Sequence, residues 1–209
     1  MLRTKSLSKS YGNRTITFPD LELNQGEHQL VIGQSGSGKT TLLNIIGGLL
    51  SPDKGSVCIG QKVIYDLSNR ELDFFRGESI GFVFQTPQFV RSFNVEDNLL
   101  LNQYLAGTIN NQQIDKFLGK VGLLDRKKAK IHDLSEGEKQ RIGIVRGLLN
   151  NPKLILADEP TSALDDKSCE NIIKLLIELS IDTKAILLIV THDQRLKDRF
   201  PEQITLHVN

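Results

Sequence analysis

His28-Gln29-Leu30-Val31-Ile32-Gly33-Gln34-Ser35-Gly36-Ser37-Gly38-Lys39-Thr40-Thr41-Leu42-Leu43 decides the architecture. The run from His28 to Ile32 reads as a strand and residues 33–38 as a glycine loop. Lys39 to Leu50 reads as a helix burying Leu42, Leu43, Ile46 and either Leu49 or Leu50. Gly33 to Thr40 fits the phosphate-binding pattern G-x-x-x-x-G-K-[ST], placed between a strand and a helix as that pattern requires. Glycines let the backbone take positive φ and aim successive N–H groups at phosphate oxygens, and the helix N-terminus adds partial positive charge. Gly33, Gln34, Ser35, Gly36, Ser37 and Gly38 are thus candidates for the cradle. Lys39 is placed to hold β- and γ-phosphates, the Thr40 hydroxyl to bind Mg²⁺ on those phosphates, and Thr41 to reach an α-phosphate. The plain alternative, a flexible Gly/Ser turn, does not account for the flanking strand and helix.

Working outward, Leu154 to Ala157 and Ala185 to Val190 are short, non-alternating apolar runs, as expected of parallel strands covered on both faces. Between Phe84 and Asn151 the texture becomes helical, with Val95–Leu105, Asn111–Val121 and Glu136–Leu149 as expected helices and no continuous strand-like run. Ser68–Arg76 reads as a short polar helix. The expectation is an α/β fold: a phosphate-loop core with a mainly parallel sheet, an N-terminal antiparallel portion and an inserted helical subdomain. Residues 1–85 and 151–209 would form the core and residues 86–150 the insertion, within one domain.

Composition agrees. At 209 residues the chain is one large domain or a core with an insertion, since a typical domain has about 150 residues. Its 26 Lys and Arg against 25 Asp and Glu give a formal charge of +1, so no basic field marks a nucleic-acid or membrane-surface binder. Cys58 and Cys169 are far apart, which suggests neither a disulfide framework nor a zinc site and fits a reducing compartment. No secretory stretch opens the chain, and the apolar runs fall short of the ~18 residues that span a bilayer. A soluble, cytoplasmic chain is expected.

Two further stretches carry chemistry. Leu154-Ile155-Leu156-Ala157-Asp158-Glu159 is an apolar strand ending in two acids. Asp158 is the metal-side candidate, and Glu159, pointing the opposite way, could orient or deprotonate a water. Alone, the pair would read as a solvated acidic turn before Pro160. Leu134-Ser135-Glu136-Gly137-Glu138 opens a helix with capping-box spacing, so Ser135 and Gly137 serve a helix start by themselves, or grip a phosphate from outside.

Together these residues resemble the nucleotide-binding subunits of ATP-binding-cassette transporters over nearly the whole chain. The motifs occur in family order: residues 33–40, Phe82-Val83-Phe84-Gln85, the signature at 134–138, Asp158-Glu159-Pro160, Ser162-Ala163-Leu164-Asp165, and Val190-Thr191-His192-Asp193. The resemblance implies that Tyr11 stacks on adenine, where the bland reading makes it core. It implies that Gln85 senses Mg²⁺ and water, that His192 contacts the γ-phosphate, and that Asp165 communicates across a subunit interface. Ser135 and Gly137 would reach ATP held by the other subunit of a head-to-tail homodimer, or of a pair with a related cassette. ATP and Mg²⁺ are the implied cofactors, ATP hydrolysis the activity, and an integral-membrane permease the partner, which places the chain on the inner face of the membrane.

The common signature is Leu-Ser-Gly-Gly-Gln; here Glu136 and Glu138 replace a glycine and the glutamine. Glutamate at the fifth position, Leu42 to Leu49 followed by Pro52 and Gly55, and Ile80 to Gln85 are similar to the branch for lipoprotein release, macrolide efflux and cell division. Glu136 adds an anion near triphosphate, so weaker ATP-driven closure is expected. Two other readings compete: a soluble cassette acting on nucleic acid or ribosomes, opposed by the lack of a coiled-coil arm or basic excess, and an ATP-gated clamp with little turnover.

Overall fold

The computed structural model describes residues 1–162, 166–200 and 202–207. Strand β1 (Leu2–Tyr11), β2 (Arg14–Thr17), β3 (Glu22–Leu23), β4 (His28–Gly33), helix α1 (Lys39–Ile46), β5 (Lys54–Ile59) and β6 (Lys62–Val63) come first. Then follow α2 (Asn69–Ser79), β7 (Ile80–Val83), α3 (Val95–Leu105), α4 (Asn111–Lys120) and α5 (Glu136–Leu148). β8 (Leu154–Asp158), α6 (Asp166–Thr183), β9 (Ile186–Thr191) and β10 (Gln203–Leu206) complete the order.

Two sheets form. An antiparallel sheet runs β2-β1-β5-β6, with β3 also on β1, and a parallel sheet runs β10-β4-β9-β8-β7. The central strands β8 and β9 are apolar over most of their length because both faces are covered. Leu30, Ile155, Leu187 and Ile189 enter one core with residues of α3 to α6, while Val31, Leu156, Leu188 and Val190 enter a second with α1 and the antiparallel sheet. The α/β expectation therefore holds, with its parallel sheet and antiparallel N-terminal portion. Between the neighbouring strands β7 and β8 the chain builds α3, α4 and α5.

The expected strands and helices recur with small shifts. Strand β9 starts at Ile186 rather than Ala185, and α4 and α5 each stop one residue earlier than read. Ser68 is the cap of α2 rather than its first residue: its hydroxyl accepts from the Glu71 N–H in a full capping box. The helix after the loop is corrected more: α1 ends at Ile46, and of the two alternatives Leu49 is 47% exposed while Leu50 packs, half-buried, against the second core. The cause is local: Gly48 sits at φ 68°, and the Leu49 N–H closes the helix end on the Asn44 carbonyl at 2.8 Å. A Cβ at Gly47 would lie 2.2 Å from the Phe82 ring, so that position in turn accepts only glycine beside β7.

Strand β7 and helix α6 were not read from the sequence. α6 buries Cys169, Ile172, Ile173, Leu176 and Leu179 at helical spacing. Among the described residues, no helix is long and apolar enough to cross a membrane.

Candidate active site

β4 delivers the chain into the loop, and α1 begins at its far end. The N-cap of α1 is Gly38 at φ 94°, with no side-chain cap and no acid in the first turn, so its leading N–H donors remain available to an anion. A side chain at Gly38 would meet Ile16 at 3.1 Å and Phe18 at 3.2 Å, so strand β2 backs the loop closely. Gln34, Ser35 and Gly36 face solvent, whereas Ser37 is buried and its Oγ lacks a hydrogen-bond partner. Lys39 is only 8% exposed. It donates to the carbonyls of Gly33 at 2.8 Å and Gln34 at 3.2 Å, and lies 3.5 Å from Glu159 Oε1.

Asp158 ends β8 beside this loop and accepts from the Thr40 hydroxyl at 3.3 Å. Glu159 follows at φ 46°, a left-handed conformation that turns its side chain away from that of Asp158. Its Oε2 accepts from the Thr191 hydroxyl at 2.7 Å and the His192 N–H at 3.2 Å; its Oε1 lies 2.8 Å from His192 Nδ1. The two neighbouring carboxyls are driven in opposite directions. Burial pushes Asp158 up, aided by the Glu159 charge and opposed by the Thr40 hydroxyl. Burial also pushes on Glu159, but the bonds from His192 and Thr191 outweigh it and hold the group below the usual carboxylate range, hence ionised.

Tyr11 is half exposed, with its hydroxyl 3.4 Å from Thr41 Oγ1, so the reading that made it core does not stand. Gln85 is exposed just beyond β7. Ser135 is the N-cap of α5: its Oγ accepts from the Glu138 N–H at 3.3 Å and donates to Glu138 Oε2 at 2.8 Å. Glu138 lies 3.3 Å from the Arg126 guanidinium, and Glu136 pairs with Lys139 at 2.7 Å. Gly137 is half-buried in the same turn. The structure brings the loop, Tyr11, Asp158, Glu159 and His192 together, and places Ser135 and Gly137 at a different helix start. Asp165 lies outside the described residues.

Two contacts here escaped sequence reading. Thr191, fully buried, is a principal holder of Glu159, although it sat inside a motif already noticed. Arg14 donates to the Gly36 carbonyl at 3.1 Å from the neighbouring hairpin.

A glycine loop from a parallel strand into an uncapped helix, flanked by a strand ending in two acids, defines a phosphate-loop nucleoside triphosphatase. Residues 18–162 match the family described as ABC transporter, and the chain belongs to that family. It is an ATP-binding, ATP-hydrolysing cassette subunit.

Among curated relatives, the lipoprotein-releasing system ATP-binding protein LolD of Bacteroides thetaiotaomicron is 39% identical over 200 residues, covering 94% of this chain and 92% of its own. LolD of Shewanella sp. strain MR-4 is 36% identical over 214 residues, with 99% and 93% covered. Among solved structures, a dimeric post-hydrolysis state of an ATP-binding cassette bound to ADP and Pi aligns with TM-score 0.89 at 34% identity, covering 100% of this chain and 97% of that one. The cbiO1 protein of Clostridium perfringens, described as part of the ABC transporter complex cbiONQ, aligns with TM-score 0.80 at 30% identity, with 92% and 78% covered.

Proposed function

We propose that this chain powers a membrane permease of the lipoprotein-releasing kind, working as a head-to-tail pair on the inner face of the membrane. The names of the LolD relatives and the dimeric neighbour support this reading. The observation that carries the paired arrangement is the contrast between the two helix starts. The α1 start and its acids form a cradle within one chain, while Ser135 stands exposed at the α5 start, bonded to its own turn. In the pair, Ser135 and Gly137 of one copy complete the cradle of the other, and Asp165 belongs to the same interface. Residues 1–85 and 151–209 act as the nucleotide-binding core, and 86–150 as the helical subdomain that carries the signature.

The reaction is ATP + H₂O → ADP + phosphate. Tyr11 stacks on adenine, Gly33 to Thr41 cradle the phosphates, and Lys39 leaves its carbonyl partners for the β- and γ-oxygens. The adjoining hard oxygen donors Thr40 Oγ1 and Asp158 Oδ1, 3.3 Å apart, suit Mg²⁺ with Gln85 as a further donor. Bound there, Mg²⁺ would neutralise charge developing on the phosphates. Glu159, kept ionised and aimed by Thr191 and His192, aligns the attacking water and takes its proton, while His192 reaches the γ-phosphate.

A groove of about 910 Å³ runs between α2, α3 and the segment after Gln85, with Leu49, Phe74, Phe89, Val90 and Leu105 on its walls. Phe74 and Leu105 are 57% and 67% exposed there, which suits an apolar helix of the permease. Glu159→Gln, tagged and held with Mg-ATP in solubilised native membranes, should co-purify a few-helix permease with a large external domain. Recovery with ribosomes or nucleic acid alone would overturn the proposal. Exchanging residues 86–94 for an unrelated loop should uncouple ATPase activity from that permease.

A further inference from the structure

One buried amide is used by none of these steps. Gln140 lies one turn into α5, is 5% exposed, and through its Nε2 donates to the Pro160 carbonyl at 3.1 Å and toward the Phe84 carbonyl at 3.4 Å. Those carbonyls flank two site residues: Pro160 follows Glu159, and Phe84 precedes Gln85. The same helix carries Ser135 and Gly137 at its start. One side chain therefore ties together the signature turn, the Glu159 turn and the Gln85 segment.

The surroundings make this tie stiff. A Cβ at Gly147 would lie 2.8 Å from the Phe82 carbonyl, and one at Gly143 2.8 Å from the Pro87 ring, so α5 rests on β7 and the following segment at backbone distance. The Glu159 turn holds a non-glycine residue at φ 46° and needs fixing from both sides. Val190 anchors its N–H at 2.9 Å, and Thr191 and His192 hold its carboxylate. Proline has no N–H to give, so the Pro160 carbonyl is the one main-chain handle at that residue, and Gln140 occupies it.

We propose that Gln140 is a positioning residue that makes water alignment by Glu159 depend on the seat of α5. Engagement of Ser135 and Gly137 by the partner's nucleotide is thereby felt at the Glu159 and Gln85 segments of the same copy. The inference rests on Glu159 as the water-aligning group.

Steady-state ATPase kinetics and light scattering with Mg-ATP test it on the full chain. Gln140→Leu should lower kcat about tenfold, because small misplacements of a reacting group are costly, and leave KM for ATP within about twofold. It should also accumulate more ATP-bound dimer than the unsubstituted chain, which damage to folding would not produce. Added to Glu159→Gln, it should slow the residual rate no further. Unchanged kcat, or a joint loss of affinity, dimer and thermal midpoint, would overturn the inference. The two readings separate cleanly: normal turnover in Glu159→Gln removes the functional assignment, whereas an inactive Glu159→Gln beside a normal Gln140→Leu removes only the role of Gln140.

Discussion

Helices α1 and α5 both begin at turns bearing serine and glycine, yet the two starts are finished in opposite ways. Gly38 caps α1 with nothing but backbone, and no acid stands in its first turn; Ser135 caps α5 through a complete capping box, with Glu136 and Glu138 in the first turn. An uncapped start leaves N–H groups and partial positive charge for an incoming anion. A capped, acidic start has already satisfied itself. On the proposed reading the difference makes the loop at 33–41 the primary phosphate site, with the signature turn contributing only when a nucleotide presented from outside competes with Glu138 for the Ser135 hydroxyl.

The sharpest way to break this comparison is at the acids beside α1. Glu159→Gln should cut turnover on the order of 10³-fold while ATP binding persists and closed dimer accumulates, as a lost general base would. Because the Glu159 value is lowered on folding, its contribution to stability is present above the unfolded glutamate range and fades as pH falls through the folded value. Unfolding curves of Glu159→Gln should therefore lack that acid-side loss. Lys39→Ala should weaken ATP binding about 100-fold by removing the charge-assisted phosphate contact, read by equilibrium titration.

Changes at α5 should be smaller and of another kind. Ser135→Ala should cost about 1 kcal/mol of stability as a lost cap, and lower turnover about tenfold with single-copy ATP affinity intact. Glu136→Gly should strengthen ATP-driven dimerisation by threefold or less, since Lys139 already offsets the Glu136 charge in an exposed pair. A large gain there would make Glu136 a dominant brake on closure and erase the distinction between the two starts.

What the sequence made legible follows from how local each signal is. The phosphate loop, the acid pair and the α5 cap lie within a few consecutive residues, and their strand and helix contexts are local as well. The end of α1 is local as well: the Gly47-Gly48 pair marks it, with Gly48 at φ 68°, and the apolar spacing that continues to Leu50 hides it. Thr191, Arg14 and Gln140 act through partners 32, 22 and 20 residues away. Thr191 lies inside a legible motif, but no local pattern announces the partner that any of the three bonds to. α6 was legible at spacing 169, 172, 173, 176 and 179, and passed unread beside the louder motifs.

The central claim, that each ATP is gripped by the α1 start of one copy and the α5 start of another, is tested most directly by mixing two inactive chains. Lys39→Ala lacks a working loop, and Ser135→Arg lacks a working signature. A head-to-tail pair of one each contains one site with both defects and one intact site, so ATP hydrolysis should reappear on mixing. If each chain completed its own site, the mixture would stay as inactive as its components.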